Sequence, residues 1–143
     1  MSNLTKPPFT FWIIAAIALL WNLMGVAAFY SDMTITAESL GAMTLEMQEY
    51  YQTNPLWNKL AYGIAVIAGS LGGIALLLRK VWAVPLFVLS LVAVLINNVY
   101  TYLFSGVGSS ATGSQVALSA MVTLIAVFLW YYAKKAASRY WIG

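Results

Sequence analysis

Apolar residues dominate four stretches of the chain, Thr10–Tyr30, Asn58–Leu78, Val81–Phe104 and Gln115–Ala133, with polar or charged segments between them. Each is near or above the ~20 residues a helix needs to cross about 30 Å of hydrocarbon. No Asp, Glu, Lys or Arg lies well inside any of them; Lys59 sits at the mouth of the second. The pattern predicts an all-α fold: one integral membrane domain over residues 1–143, a bundle of four transmembrane helices running up-down-up-down.

The segments between spans carry their own signals. Pro7 and Pro8 block helix before the first span, and the Arg79-Lys80 turn is so short that spans two and three must be antiparallel neighbours. Pro85 falls in the first turn of span three, where a missing N–H is tolerated. The long connection Ser31–Trp57 is partly helical by its caps: Thr36 before a short helix stopped at Gly41, and Thr44 before Leu45–Gln52 with Glu46 in the first turn. Asn54-Pro55 ends it. The uncharged Gly/Ser connection Ser105–Ser114 reads as a mobile linker. Val26-Ala27-Ala28 resembles a signal-cleavage site, but the apolar run before it is longer than a signal core and contains Trp21 and Asn22; a retained first span is expected.

Composition agrees with the membrane reading. Only 8% of residues are charged and 62% are hydrophobic, against about 25% charged in a soluble domain. With no Cys and no His, thiol redox chemistry, thiolate metal sites and the commonest neutral-pH base are all missing. The acids Asp32, Glu38, Glu46 and Glu49 all fall in or beside the long connection, where they read as solvated charges. No catalytic, cofactor or metal motif is present, and a non-enzymatic protein is expected.

Charge placement sets an orientation. Lys6, Arg79, Lys80, Lys134, Lys135 and Arg139 fall on one side of the four-span scheme, and Lys59 with the four acids on the other. The positive-inside rule then puts both termini in the cytoplasm and the long connection outside, so the net charge of +3 reports topology, not nucleic acid. Phe9, Phe11, Trp12, Phe29, Tyr30, Trp57, Trp82, Tyr100, Tyr102, Trp130, Tyr131, Tyr132, Tyr140 and Trp141 fall near the expected interfaces and read as headgroup-level anchors.

Two patterns remain. Ala61, Ala65, Gly69 and Gly73 repeat every four residues in span two, a stripe that lets another helix approach closely, from this chain or from a second copy. Asn22, Asn97 and Asn98 place amides at membrane depth in the outer half of spans one and three, with Thr101 one turn beyond Asn97; Ser90 is expected to bond back to its own helix. Such amides either hold helices in register or, with Trp21 and Tyr100 as stacking faces, form a neutral pocket for a sugar-like or amphipathic solute. No intramembrane acid is present to carry protons for coupled transport. The partners expected are lipid, the solute, and a second copy or another membrane protein for which this chain is an accessory subunit.

The four-span layout, Trp21-Asn22-Leu23-Met24-Gly25, and Trp82-Ala83-Val84-Pro85-Leu86 followed by Asn97–Thr101 resemble a group of small bacterial membrane proteins of unestablished activity that often carry the label sugar transporter. The resemblance implies a bacterial inner-membrane protein and a neutral solute, and supplies no catalytic residue.

Overall fold

A computed structural model describes residues 4–104 and 113–143. The fold is an all-α bundle: α1 (Phe9–Met33), α2 (Ala37–Gly41), α3 (Leu45–Thr53), α4 (Leu56–Leu77), α5 (Ala83–Val99), which runs on into a π-helical turn (Tyr100–Phe104), and α6 (Gly113–Ser138). Four of these helices, counting α5 with its π turn, are long and apolar enough to cross a membrane. The Gly/Ser linker lies outside the described residues up to position 112, and Gly113 already opens α6.

The helix limits follow local chemistry. Thr36 and Thr44 accept hydrogen bonds from the backbone N–H of Ser39 and Met47, satisfying donors that the first turns of α2 and α3 leave free. The first long helix starts directly after Pro8 and runs past the expected end at Tyr30 to Met33, because Ser31 and Asp32 do not break a helix. Similarly, α6 continues past Ala133 to Ser138; Lys135 in its last turn suits the negative end of the helix dipole.

Packing proceeds in one order: α4 lies against both α1 and α5, and α5 against α6. The small-residue stripe makes the first two contacts, and both are within the chain. A Cβ on Gly73 would stand 3.0 Å from the Leu19 backbone, and one on Gly69 would collide with the Asn22 side-chain oxygen. On the other flank, a Cβ on Gly72 would meet the Phe87 ring at 2.8 Å, and Ala65 packs with Ala93 and Val94. Ala61 is buried as well.

The largest core sits at the basic end, where Phe11, Ala15, Ala75, Leu76, Ala83, Phe87, Tyr132, Ala133 and Ile142 are buried together. Here α1 meets α6, with the Phe11 and Tyr132 rings stacked at 6.3 Å and Trp141 edge-on to Phe11 at 6.0 Å. The anchor reading is therefore corrected for Phe11, Tyr132 and, at the opposite end, Tyr100: they stand near helix ends but face inward and are at most 8% exposed.

Candidate functional site: a cleft between the first and last helices

Because the order of packing is α1, α4, α5, α6, the first and last helices flank a groove whose floor is α4 and α5. The groove encloses a cavity of about 420 Å³. Trp21, Asn22, Met24, Gly25 and Ala28 of α1 form one wall, and Leu118, Ser119, Val122, Ile125, Ala126 and Leu129 of α6 the other. Tyr62, Ala65 and Val66 of α4 and Phe87, Ser90, Val94, Asn97 and Asn98 of α5 make the floor. From Phe87 to Asn98 the cavity follows α5 for about 16 Å. Its walls are mostly hydrocarbon, with a few amides and hydroxyls along its length.

Trp21, Asn22, Asn97 and Asn98 thus line one cavity, but the three amides do not bond one another. Asn22 Nδ2 donates to Ala18 O of its own helix at 2.8 Å. Asn97 Nδ2 donates to Asn58 Oδ1 at 3.1 Å, and Asn98 Nδ2 to Thr123 Oγ1 at 2.8 Å, joining α5 to α4 and α6 respectively. Successive helical positions point about 100° apart, so the adjacent asparagines serve different neighbours. Depth separates them further. Asn22 faces Gly69, and from Gly69 to the Asn97 partner Asn58 is about 16 Å of α4. The expectation of a shared outer layer is corrected: counting residues from the start of span one overlooked that Gly69 and Gly73 fix where α1 docks.

Tyr100 and Thr101 lie away from this cavity. The Tyr100 ring meets Trp57 edge-on at 5.3 Å and Tyr50 at 6.0 Å, while Thr101 Oγ1 pairs with Tyr50 Oη at 3.3 Å. The face proposed for stacking a solute is taken by the long connection. Ser90 also departs from expectation: its Oγ donates across to Ala65 O at 2.6 Å, a carbonyl left open because Ala68 and Gly69, one turn on, carry too little side chain to cover it. Ser70 makes the own-helix bond instead, to Val66 O at 2.8 Å.

Sequence reasoning overlooked Asn58. It is fully buried and central, donating to Asn54 Oδ1 at 2.7 Å and to Tyr50 Oη at 3.4 Å while accepting from Asn97. Its spacing of four from Asn54, across a Pro that turns the chain, was the available signal. Beside this network a second, smaller cavity of about 160 Å³ is lined by Asp32, Met33, Ile35, Tyr50, Tyr51, Asn54, Lys59 and Tyr62. Tyr51 Oη donates to Asp32 Oδ1 at 3.1 Å. Burial first, then the negative charge of Asp32, pushes the Tyr51 hydroxyl up to about 12. Among the described residues, no group of three or more His, Cys, Asp or Glu side chains is placed to hold a metal ion.

Four apolar helices around a lengthwise cleft define the class: a multi-pass membrane protein. No protein-family model, curated protein or solved structure matches the chain.

Proposed function

We propose that this is a non-enzymatic membrane protein that holds an elongated, largely apolar amphipathic molecule in the cleft between α1 and α6, with Asn22, Asn97, Asn98 and Ser119 offering hydrogen bonds along it. One observation carries the reading: the amides facing the cavity are spread over about 16 Å between hydrocarbon walls. A compact sugar needs polar groups converging on one point, and these diverge. A chain with a few polar atoms matches both the length and the lining. Orientation by charge places the Asn97 end of the cleft toward the outside of a bacterial inner membrane.

The test uses the purified full chain in maltoside. Monoolein, as an amphiphile of this shape, raises the melting temperature, and glucose or maltose does not. Val122→Trp fills the cavity and removes the monoolein effect while the unliganded melting temperature stays near wild type. Stabilisation by glucose, or a monoolein effect that survives Val122→Trp in a folded protein, overturns the reading. The second reading, an accessory subunit whose partner helix fills the groove, is favoured by the separation of α1 and α6 above their contact at Phe11 and Tyr132. It predicts a cysteine at Val122 that crosslinks to another membrane protein in cells.

A further inference from the structure

The smaller cavity at the acidic end is built differently from the cleft. It has a carboxylate, three phenol rings and one lysine around about 160 Å³. Asp32 is partly buried, and among the described residues its hydrogen-bond partner is a single neutral donor, Tyr51 Oη. Among the described residues no ion pair closes on it, although Lys59 borders the same space. The Tyr50 and Tyr51 rings meet edge to face at 87° with centroids 5.8 Å apart, and both border the cavity together with Tyr62. Aromatic rings attract cations over their faces, and three phenol rings that share a small space with a carboxylate favour a cation there.

Size and donor chemistry select among cations. The volume matches about five waters at ~30 Å³ each, well below the ~300 Å³ at which sites for larger ligands begin. A divalent metal ion needs six or more oxygens, or soft ligands, and one carboxylate with phenols falls short. A small alkylammonium is satisfied by one carboxylate and aromatic faces.

We propose that Asp32, Tyr50, Tyr51 and Tyr62 form a binding site for a small organic ammonium group, with Lys59 as the competing internal cation. The ring walls hold the alkyl groups, and Asp32 supplies the countercharge. Asn54 borders the site with its oxygen already bonded to Asn58, so it adds shape more than charge. The site does not depend on the cleft reading: Tyr62 borders both cavities, but the ammonium cage stands if the cleft holds nothing.

The experiment titrates the full chain in maltoside with tetramethylammonium and choline by calorimetry at constant ionic strength, with 3,3-dimethylbutanol as the uncharged isostere of choline. Saturable binding of the cations and not of the isostere is expected. Asp32→Asn weakens it about tenfold or more, since a full countercharge is lost. Lys59→Gln tightens it severalfold. Tyr51→Phe retains binding because the ring stays, whereas Tyr51→Leu weakens it; this pair decides the matter if Asp32→Asn does not fold. Dihexanoylphosphatidylcholine that competes where free choline fails assigns the group to a lipid headgroup, and binding of free choline assigns a dissolved amine; both uphold the cage. No saturable cation binding from any source, equal binding of the isostere, or affinity unchanged in both Asp32→Asn and Tyr51→Leu overturns it.

Discussion

At the basic end of the bundle the joining is done by backbone groups, the Arg79 guanidinium and apolar rings; at the acidic end it is done by side-chain amides and phenols. The basic end is closed by backbone bonds with the Arg79 side chain among the donors. Arg79 Nε donates to Trp141 O at 2.9 Å, Val81 N to Gly143 O at 3.1 Å, Gly143 N to Arg79 O at 3.1 Å, and Thr5 N to Tyr140 O at 2.8 Å. The N-terminal segment, the α4–α5 turn and the C-terminal tail are thereby laced together over Phe11 and Ile142. At the acidic end, Asn58, Asn97, Tyr50, Thr101, Tyr51 and Asp32 link α1, α3, α4 and α5 through side chains; the smaller cavity lies among them, and the cleft runs from Asn97 and Asn98 down to Phe87 in the basic-end core. Close packing excludes a ligand, while side-chain networks leave polar atoms within its reach. The contrast separates a closely packed end from one whose side-chain network leaves polar atoms beside open space.

The comparison breaks most sharply at Phe11. It is fully buried between α1, α6 and the tail, and Phe11→Ala is expected to cost about 3–5 kcal/mol, read as the largest loss in an unfolding titration in mixed micelles. One turn before the basic end of α4, Gly73→Val pushes α1 off α4 because the Leu19 backbone cannot yield; a loss of about 1–3 kcal/mol is expected in the same assay. At the acidic end, Asn58→Leu removes three hydrogen bonds and opens no cavity, since Leu is the slightly larger side chain. Bonds of this kind between membrane helices are worth about 0.6–2 kcal/mol, so a modest loss is expected, together with faster amide exchange confined to α3 and the end of α5. If Asn58→Leu costs more than Phe11→Ala, the division of labour is reversed.

What the sequence reveals follows the same division. The spans are legible because hydrocarbon imposes one requirement on every residue in them, and Thr36 and Thr44 are legible because capping is local. The stripe Ala61, Ala65, Gly69 and Gly73 announces close approach, and the choice of α1 and α5 as neighbours comes from tertiary structure. The polar groups are least legible. Asn22, Asn97 and Asn98 look alike in sequence, yet each bonds a different partner because helix register and docking depth decide what a side chain reaches. Trp141 and Ile142 resemble a tail at an interface until Arg79 is seen holding the Trp141 carbonyl.

The smallest effect tests how the basic end is closed. Both α4 and α6 end there in the same motif: Lys80 N reaches back to Ala75 O at 2.8 Å and Arg79 N to Leu76 O at 2.9 Å, as Trp141 N reaches Ala136 O at 2.9 Å and Tyr140 N Ala137 O at 3.1 Å. The motif requires a left-handed residue, usually Gly, and the chain places Arg79 at φ 57° and Tyr140 at φ 59°. A side chain there costs roughly 1–2 kcal/mol. Arg79 offsets that cost through its bonds to Trp141 and Thr5, whereas the Tyr140 side chain is exposed and has no such compensation. Tyr140→Gly therefore stabilises the protein by roughly 0.5–1 kcal/mol after the added freedom of the unfolded chain is subtracted. Arg79→Gly destabilises it, although the backbone strain relieved is the same. A rise in melting temperature for the first and a fall for the second would show that the Arg79 side chain, and not the turn alone, keeps the tail in place.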